Sequence, residues 1–389
     1  AFLVEPAATR FIEADEAFCG KVAELLKPGL GHPYKQLREE VARALYLTLR
    51  AAGGRSEGGG LSSVALRLES WLGSEARRLL PALRGDNAAH RQEGEEGSRP
   101  HHVVESSGLC YTLLHAALAR MTSRHFSEAA PASLEFLLAA AAHGDFELRT
   151  LAAHAVSLCC AAHPVGPQAA SNCWELLPLA KALSQMFQAG LTDKELEKAL
   201  SLGLRPVITA NFFILSQGGE EAKGLFVQLR AAAERALGHP KTEVRSAARG
   251  TVATFLALEP QAVLTQQLAR FKAMAGVPPK GKSADTADEA SPESLDSGVT
   301  AGVGGLSCAL LAAADCGVPV WSGKAIQAVA PYGRPGITEA VRKEVQGAIQ
   351  AFLKVQQSSQ RAWKECQEKL TPAQLDLLND SKGKLSYFS

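Results

Sequence analysis

Several features that mark enzymes, membrane proteins or secreted proteins are missing from this 389-residue chain. Its eight cysteines (Cys19, Cys110, Cys159, Cys160, Cys173, Cys308, Cys316 and Cys366) contain no C-x-x-C pair. Most lie in apolar helical surroundings, such as residues 154–163, so reduced core thiols are expected and a disulfide framework is not. Basic and acidic residues balance at 41 against 40, for a net charge of +1. The broad electropositive footprint of a nucleic-acid or membrane-surface binder is therefore absent. No run approaches the roughly 18 apolar residues of a bilayer span, and the first residues do not form a signal peptide. Neither a membrane nor nucleic acid is an expected partner. The chain starts at Ala1 rather than Met, so a fragment with a natural C-terminus is expected. Alternating β-branched runs are almost missing as well, which argues against sheet.

What remains is rich in alanine and leucine at helical spacing, and the predicted class is all-α. Three polar stretches interrupt it. Residues 53–60 are flexible by glycine content. Residues 84–107 hold almost no large apolar side chain and are expected to be a disordered linker. Residues 276–298 combine proline, serine and acidic residues and are expected to be a disordered insertion. The predicted organisation is helical repeats over 1–83 and 108–275, with a carboxy-terminal domain over 299–389.

Three places share a pattern. Gly31, His32, Pro33, Leu37, Arg38 and Val41 match Gly238, His239, Pro240, Val244, Arg245 and Ala248. The stretch from His143 repeats the end of this pattern with Leu148, Arg149 and Ala152. In each, glycine or proline stops one helix, and an apolar residue followed by arginine opens the next. Such a helix–turn–helix unit resembles a HEAT repeat, whose stacking gives an α-solenoid. The gaps between the arginines each exceed one repeat of about 40–47 residues, so degenerate units are expected between them.

Candidate chemistry is sparse. Residues 276–283 satisfy G-x-x-x-x-G-K-S, the phosphate-loop pattern. A helical pattern precedes them where a strand is required, and Pro278 and Pro279 remove two N–H donors. Nucleotide binding, and with it a nucleotide hydrolase, is rejected. The glycine cluster at 301–306 has no preceding strand and is expected to serve close helix packing. His101 and His102 fall in the expected linker as a solvated pair, with no metal-ligand spacing near them. Asn211, Phe212 and Phe213 are expected in a helix core. No serine-hydrolase, zinc-protease or cysteine-protease signature occurs, so the protein is not expected to be an enzyme and no cofactor is implied by its motifs.

The carboxy-terminal part is more specific. From Ile337, the positions Val341, Val345, Ile349, Phe352, Val355, Ala362, Trp363 and Cys366 keep a helical period. They predict one long helix bent near Ser358 and Ser359, with Trp363 as a packing anchor. Thr371, Pro372 and Gln374 then form a capping-box signature for a last short helix ending by Gly383. Beyond it lies a short basic spacer and the ending Tyr387-Phe388-Ser389. A free carboxylate preceded by aromatics on a rigid platform fits carboxylate-capture recognition.

The chain from about Asn211 resembles the large single-chain HEAT-repeat proteasome activators that cap the core particle. The resemblance rests on the 301–306 cluster, Val318-Pro319-Val320-Trp321, residues 339–345, Trp363-Lys364, residues 370–378 and the terminal Tyr387-Phe388-Ser389. It implies docking of Tyr387, Phe388 and Ser389 between outer-ring subunits of the core particle, with gate opening that needs neither ATP nor ubiquitin. It further implies a nuclear and cytoplasmic protein acting on unfolded proteins or acetylated histones. Inositol phosphate binding also belongs to the family, with no site assigned here; Arg334, Arg342, Lys343 and Arg361 could equally be a solvated face. Two departures stand out. The family's penultimate tyrosine is replaced by Phe388, with Tyr387 one place earlier. The family's acetyl-lysine site uses an Asn-Phe pair where this chain has Leu258-Glu259-Pro260, so that activity is not carried over. A generic HEAT scaffold, of the transport-receptor or phosphatase-adaptor kind, is the alternative.

Overall fold

The computed structural model describes residues 16–52, 63–88, 99–120, 130–161, 176–276, 297–315, 319–333, 339–358 and 360–380. The described residues contain helices and turns and no strand. They form two compact units, Ala1–Leu225 and Phe226–Ser389.

In the first unit, α1 (Glu16–Leu26) leads through a 3₁₀ turn (Lys27–Gly31) to α2 (Lys35–Ala52), followed by α3 (Ser63–Ala88) and α4 (His101–Arg120). Then come α5 (Ala130–Ala141), α6 (Phe146–Ala161), α7 (Leu176–Ala189) and α8 (Asp193–Lys198). A π-helical stretch, Ala199–Leu204, joins α8 to α9 (Arg205–Gln217). Helix α4 packs between α2 and α6, while α5 packs between α3 and α7. This two-layered stacking of antiparallel pairs is the arrangement of helical repeats, in which each pair buries a face on its neighbour. The pair α3–α4 fills the gap between Arg38 and Arg149 that the spacing had left open.

The second unit contains most of α10 (Glu220–Arg235), then a 3₁₀ turn (Ala236–Gly238), α11 (Thr242–Leu258) and α12 (Gln261–Ala275). It continues with α13 (Ser297–Asp315), α14 (Pro319–Val329), α15 (Glu339–Gln357), α16 (Gln360–Lys369) and α17 (Pro372–Asp380). Here α13 packs between α11 and α15 and also against α12 and α14.

The repeated turn explains why these residues recur. In each copy the histidine Nδ1 accepts the backbone N–H two residues on: Tyr34 to His32 (3.2 Å), Asp145 to His143 (3.0 Å) and Lys241 to His239 (3.2 Å). The arginine six residues after each histidine folds back on the turn. Arg38 Nη1 donates to the carbonyls of His32 and Pro33, both at 2.8 Å. Arg245 Nη1 does the same to His239 and Pro240, again both at 2.8 Å. Arg149 Nη1 reaches those of His143 (3.4 Å) and Gly144 (3.1 Å). One cation thereby satisfies carbonyls that a helix end leaves without partners.

Two of these arginines also cross the intervening helix. Arg38 donates from Nη2 to both carboxylate oxygens of Glu147 on α6, at 3.0 and 3.1 Å. Arg245 Nε meets Glu344 Oε1 on α15 at 2.5 Å, and Arg249 Nη1 lies 2.9 Å from Glu344 Oε2. The helix between is attached to the same network. Ser107 of α4 accepts from Arg99, the Tyr111 hydroxyl is shared between Glu39 and Glu147, and Cys308 of α13 donates to the Arg249 carbonyl.

The expected linker over 84–107 is shorter than its composition implied. Helix α3 continues to Ala88 and α4 begins at His101, leaving only 89–98 outside the described residues. Several of its described polar residues are paired rather than solvated. Arg84 binds Glu135 and Glu195, Asp86 holds His102 at 2.7 Å, and Arg99 bridges Asp145 and Glu147. His101 and His102 are therefore helical residues. Residues 53–60 and 277–296 lie outside the described residues. Asn211 and Phe212 are buried as expected, but Phe213 is 65% exposed. The backbone leaves helical geometry at Asn211 (φ −130°, ψ 18°), two residues before the exposed position.

Burial alone would raise the Glu147 carboxyl, but hydrogen bonds from Arg99 and Arg38 outweigh it and hold its pKa below the ordinary value. A depressed carboxylate contributes stability that is present above its unfolded pKa and is lost as pH falls through the folded one. Glu147→Gln should therefore lower the melting temperature at neutral pH, and the gap from native should close progressively under acid titration below about pH 4.5. Arg38→Ala, which leaves Glu147 to Arg99 and Tyr111 but takes the donor from two turn carbonyls, should cost about 1–3 kcal/mol in urea unfolding.

Candidate functional site

The strongest sequence signals for function lie at residues 299–389, and there the structure shows a helical platform built on glycine. Helix α13 is almost entirely buried from Ala301 to Leu310. A Cβ at Gly302 would stand 2.3 Å from the backbone nitrogen of Ala275, and one at Gly305 only 2.1 Å from the Phe271 ring. Helices α12 and α13 can approach this closely only because those positions have no side chain. The 301–306 cluster is thus a packing device, as expected. Cys308, on the same helix, faces the Arg249 carbonyl of α11, its thiol pushed up by burial and so kept protonated. Tyr332, in the 3₁₀ turn Ala330–Gly333, donates its hydroxyl to the carbonyl of Gly276, the residue that ends α12 with φ +69°. Gly276, the first residue of the phosphate-loop pattern, follows a helix and not a strand.

The long amphipathic pattern resolves into α15 and α16, with Ser358 in a turn after α15. Val341, Val345, Ile349 and Phe352 line the buried face of α15. Two expected members of that face differ. Val355 is 43% exposed while its neighbour Gln356 is buried, and Trp363 is partly buried rather than enclosed. Cys366 and Leu370 carry the burial of α16 instead.

The last helix starts where the sequence places it. Thr371 N–H donates to Gln374 Oε1 at 2.8 Å, and Gln374 N–H donates to Thr371 Oγ1 at 3.3 Å, a reciprocal capping box. Gln374 is itself buried against α14. A Cβ at Gly323 would lie 3.0 Å from both atoms of its amide tip. Leu378 is buried near the end of α17, which closes at Asp380. The sequence-predicted docking residues Tyr387, Phe388 and Ser389 lie outside the described residues, as do Gly383 and Arg334.

The cations considered for an anion site pair with acids on their own helices. Lys343 meets Glu339 at 2.6 Å and Arg361 meets Glu365 at 2.9 Å. At the position of the family's acetyl-lysine pair, Leu258, Glu259 and Pro260 form the end of α11 and the start of α12. Burial raises the Glu259 carboxyl above its ordinary value, against the pull of Arg230, to which it is ion-paired. This turn was legible as a departure, whereas the arginine that fills it is a tertiary contact 29 residues away. Among the described residues no group of histidine, cysteine and carboxylate side chains is placed to hold a metal.

The glycine seam generates a paired test. Gly305→Ala should destabilise the protein by about 1–3 kcal/mol through overpacking against Phe271. Gly347→Ala on α15, where nothing lies within 4 Å of the added methyl, should stabilise it by about 0.5–1 kcal/mol. Thermal melts of the two variants check both signs.

No curated protein matches the chain. Residues 298–389 match the family model described as proteasome activator complex subunit 4-like, C-terminal. The matched span starts within α13, takes in the platform through α17, and reaches Ser389. The carboxy-terminal part of this chain, from residue 298, belongs to the proteasome activator complex subunit 4-like family.

Proposed function

We propose that the chain is the carboxy-terminal part of a proteasome activator, a regulator rather than an enzyme, that works by docking its tail on the core particle. The observation that carries this reading is the family match over 298–389, which spans the packed platform and the segment holding Tyr387, Phe388 and Ser389. Helix α17 is described to Asp380, and nine residues, 381–389, follow it in the sequence. Fully extended, they reach about 30 Å at 3.3–3.6 Å per residue. That is ample for a tail to enter a pocket while the helices stay outside.

In this reading the terminal carboxylate pairs with a cation of the outer ring, the aromatics fill the pocket, and the gate relaxes without ATP or ubiquitin. Phe388 keeps the apolar packing but gives up a hydroxyl hydrogen bond typically worth about 0.5–1.5 kcal/mol. Binding therefore outlasts gate opening as the weaker step. Nuclear and cytoplasmic placement, with unfolded or acetylated protein substrates, belongs to the same proposal.

Deleting Tyr387, Phe388 and Ser389 should remove most binding to purified core particles. Adding one residue after Ser389 should be nearly as damaging, because it displaces the carboxylate by about 3.3–3.6 Å. Phe388→Tyr should raise stimulated peptide hydrolysis more than affinity. A tail-extended variant that activates as well as native protein would sink this reading and favour a generic helical scaffold.

A further inference from the structure

The platform contains one joint whose geometry exceeds what helix packing alone requires. Gly323 lies on α14, and Gln374 lies in the first turn of α17. A methyl at position 323 would stand 3.0 Å from Gln374 Nε2, 3.0 Å from its Oε1 and 3.2 Å from its Cδ. Contacts that short oblige the neighbour to move. A glutamine tip ordinarily swings aside at little cost, but this one is engaged: its Oε1 accepts the Thr371 N–H at 2.8 Å. Moving it by a few tenths of an ångström strains the capping box that starts α17. The N-terminal turn of the last helix is therefore held between the bare backbone of Gly323 and its own cap.

The surroundings concentrate the constraint at that point. Helix α17 is only nine residues long and too short to be stable alone. Its described buried side chains are Gln374 and Leu378, one at each end of a single helical turn. On the α14 side, Ser322 and Gly323 are both buried. Leu370, buried between α16 and Thr371, donates its N–H back to the Cys366 carbonyl at 3.2 Å. Helix α17 packs on α14 and on the 3₁₀ turn Ala330–Gly333, and the Gly323–Gln374 contact and Leu378 are two of the points that hold it.

We infer that Gly323 and Gln374 are positioning residues for the tail: their contact sets the direction in which the chain leaves α17 at Asp380. The inference rests on the docking role proposed for the tail. It adds that affinity depends on a fixed launch direction as well as on the last three residues. A tail held in one direction presents its end at a higher effective concentration than one on a loosened helix, with no new contact made.

The experiment is a cycle on the full chain. Gly323→Ala adds one methyl, and four glycines inserted after Asp380 replace the fixed launch with a flexible one. Binding of each variant to purified core particles is measured, with a thermal melt on the same samples. With the native spacer, Gly323→Ala should weaken binding roughly threefold to tenfold, a loss of effective concentration rather than of contacts. With the glycine insertion, binding should start weaker, and Gly323→Ala should change it no further, the non-additivity expected of two changes acting through one element. Gln374→Ala, which opens the cap without adding a methyl, should follow the same pattern and covers the case in which Gly323→Ala folds poorly. Unchanged binding by Gly323→Ala, or a loss of equal size with and without the insertion, overturns the positioning role. If removal of residues 387–389 also leaves binding intact, the docking reading falls and the positioning role falls with it. If that truncation abolishes binding while Gly323→Ala does not weaken it, only the positioning role falls.

Discussion

The structure depends most on an arginine placed six residues after a histidine at the start of a helix. A helix–turn–helix repeat has to reverse direction in a few residues, which leaves carbonyls of the first helix and the turn without partners. Arg38, Arg149 and Arg245 each supply a guanidinium to two of them, while the histidine ring accepts an N–H of the same turn. In two copies the same guanidinium spans a neighbouring helix to a carboxylate, Glu147 or Glu344. A single side chain thus closes a turn and ties alternate repeats together. A planar fork with several donors can do this, and a lysine ammonium cannot.

Once the helices are held in this order, the composition of the helix between them is constrained. Helix α13 must admit α11, α12, α14 and α15 around itself, and it does so with Gly302, Gly304, Gly305, Ser307 and Cys308. The close approach of α12 fixes one side of the platform, and α14 carries Gly323 to the base of α17 on the other. The part of the chain that matches the activator family is therefore the part in which glycine packing is densest. A rigid base for a short tail is a reasonable product of such packing, because close-packed interiors transmit rather than absorb displacement.

The helical class, the turns, including the one at Ser358, and the capping box were all legible, since each is encoded within a few residues. The carboxylate partners of Arg38 and Arg245 were not, because they lie 109 and 99 residues away. The same limitation explains the linker. Residues 84–88 and 101–107 read as disordered by their polarity, yet Arg84, Asp86, Arg99 and His102 find partners brought to them by tertiary structure. Polar composition signals disorder only where charges stay solvated. Phe213 and Val355 erred the other way: an apolar run and a helical period placed them inside, yet both are exposed, Phe213 two residues past a backbone kink and Val355 in the last turn of α15. The π-helical stretch at Ala199–Leu204 left no local signal that propensity could detect.

The central claim is that the end of this chain, carried by the platform, meets the core particle. It is tested most directly by placing a photo-crosslinking phenylalanine analogue at position 388 of the full chain and irradiating it with purified core particles. The account predicts a crosslink to an outer-ring subunit, lost when unlabelled tail peptide (residues 381–389) is added in excess. A crosslink confined to the chain's own helices, undiminished by that peptide, would contradict it.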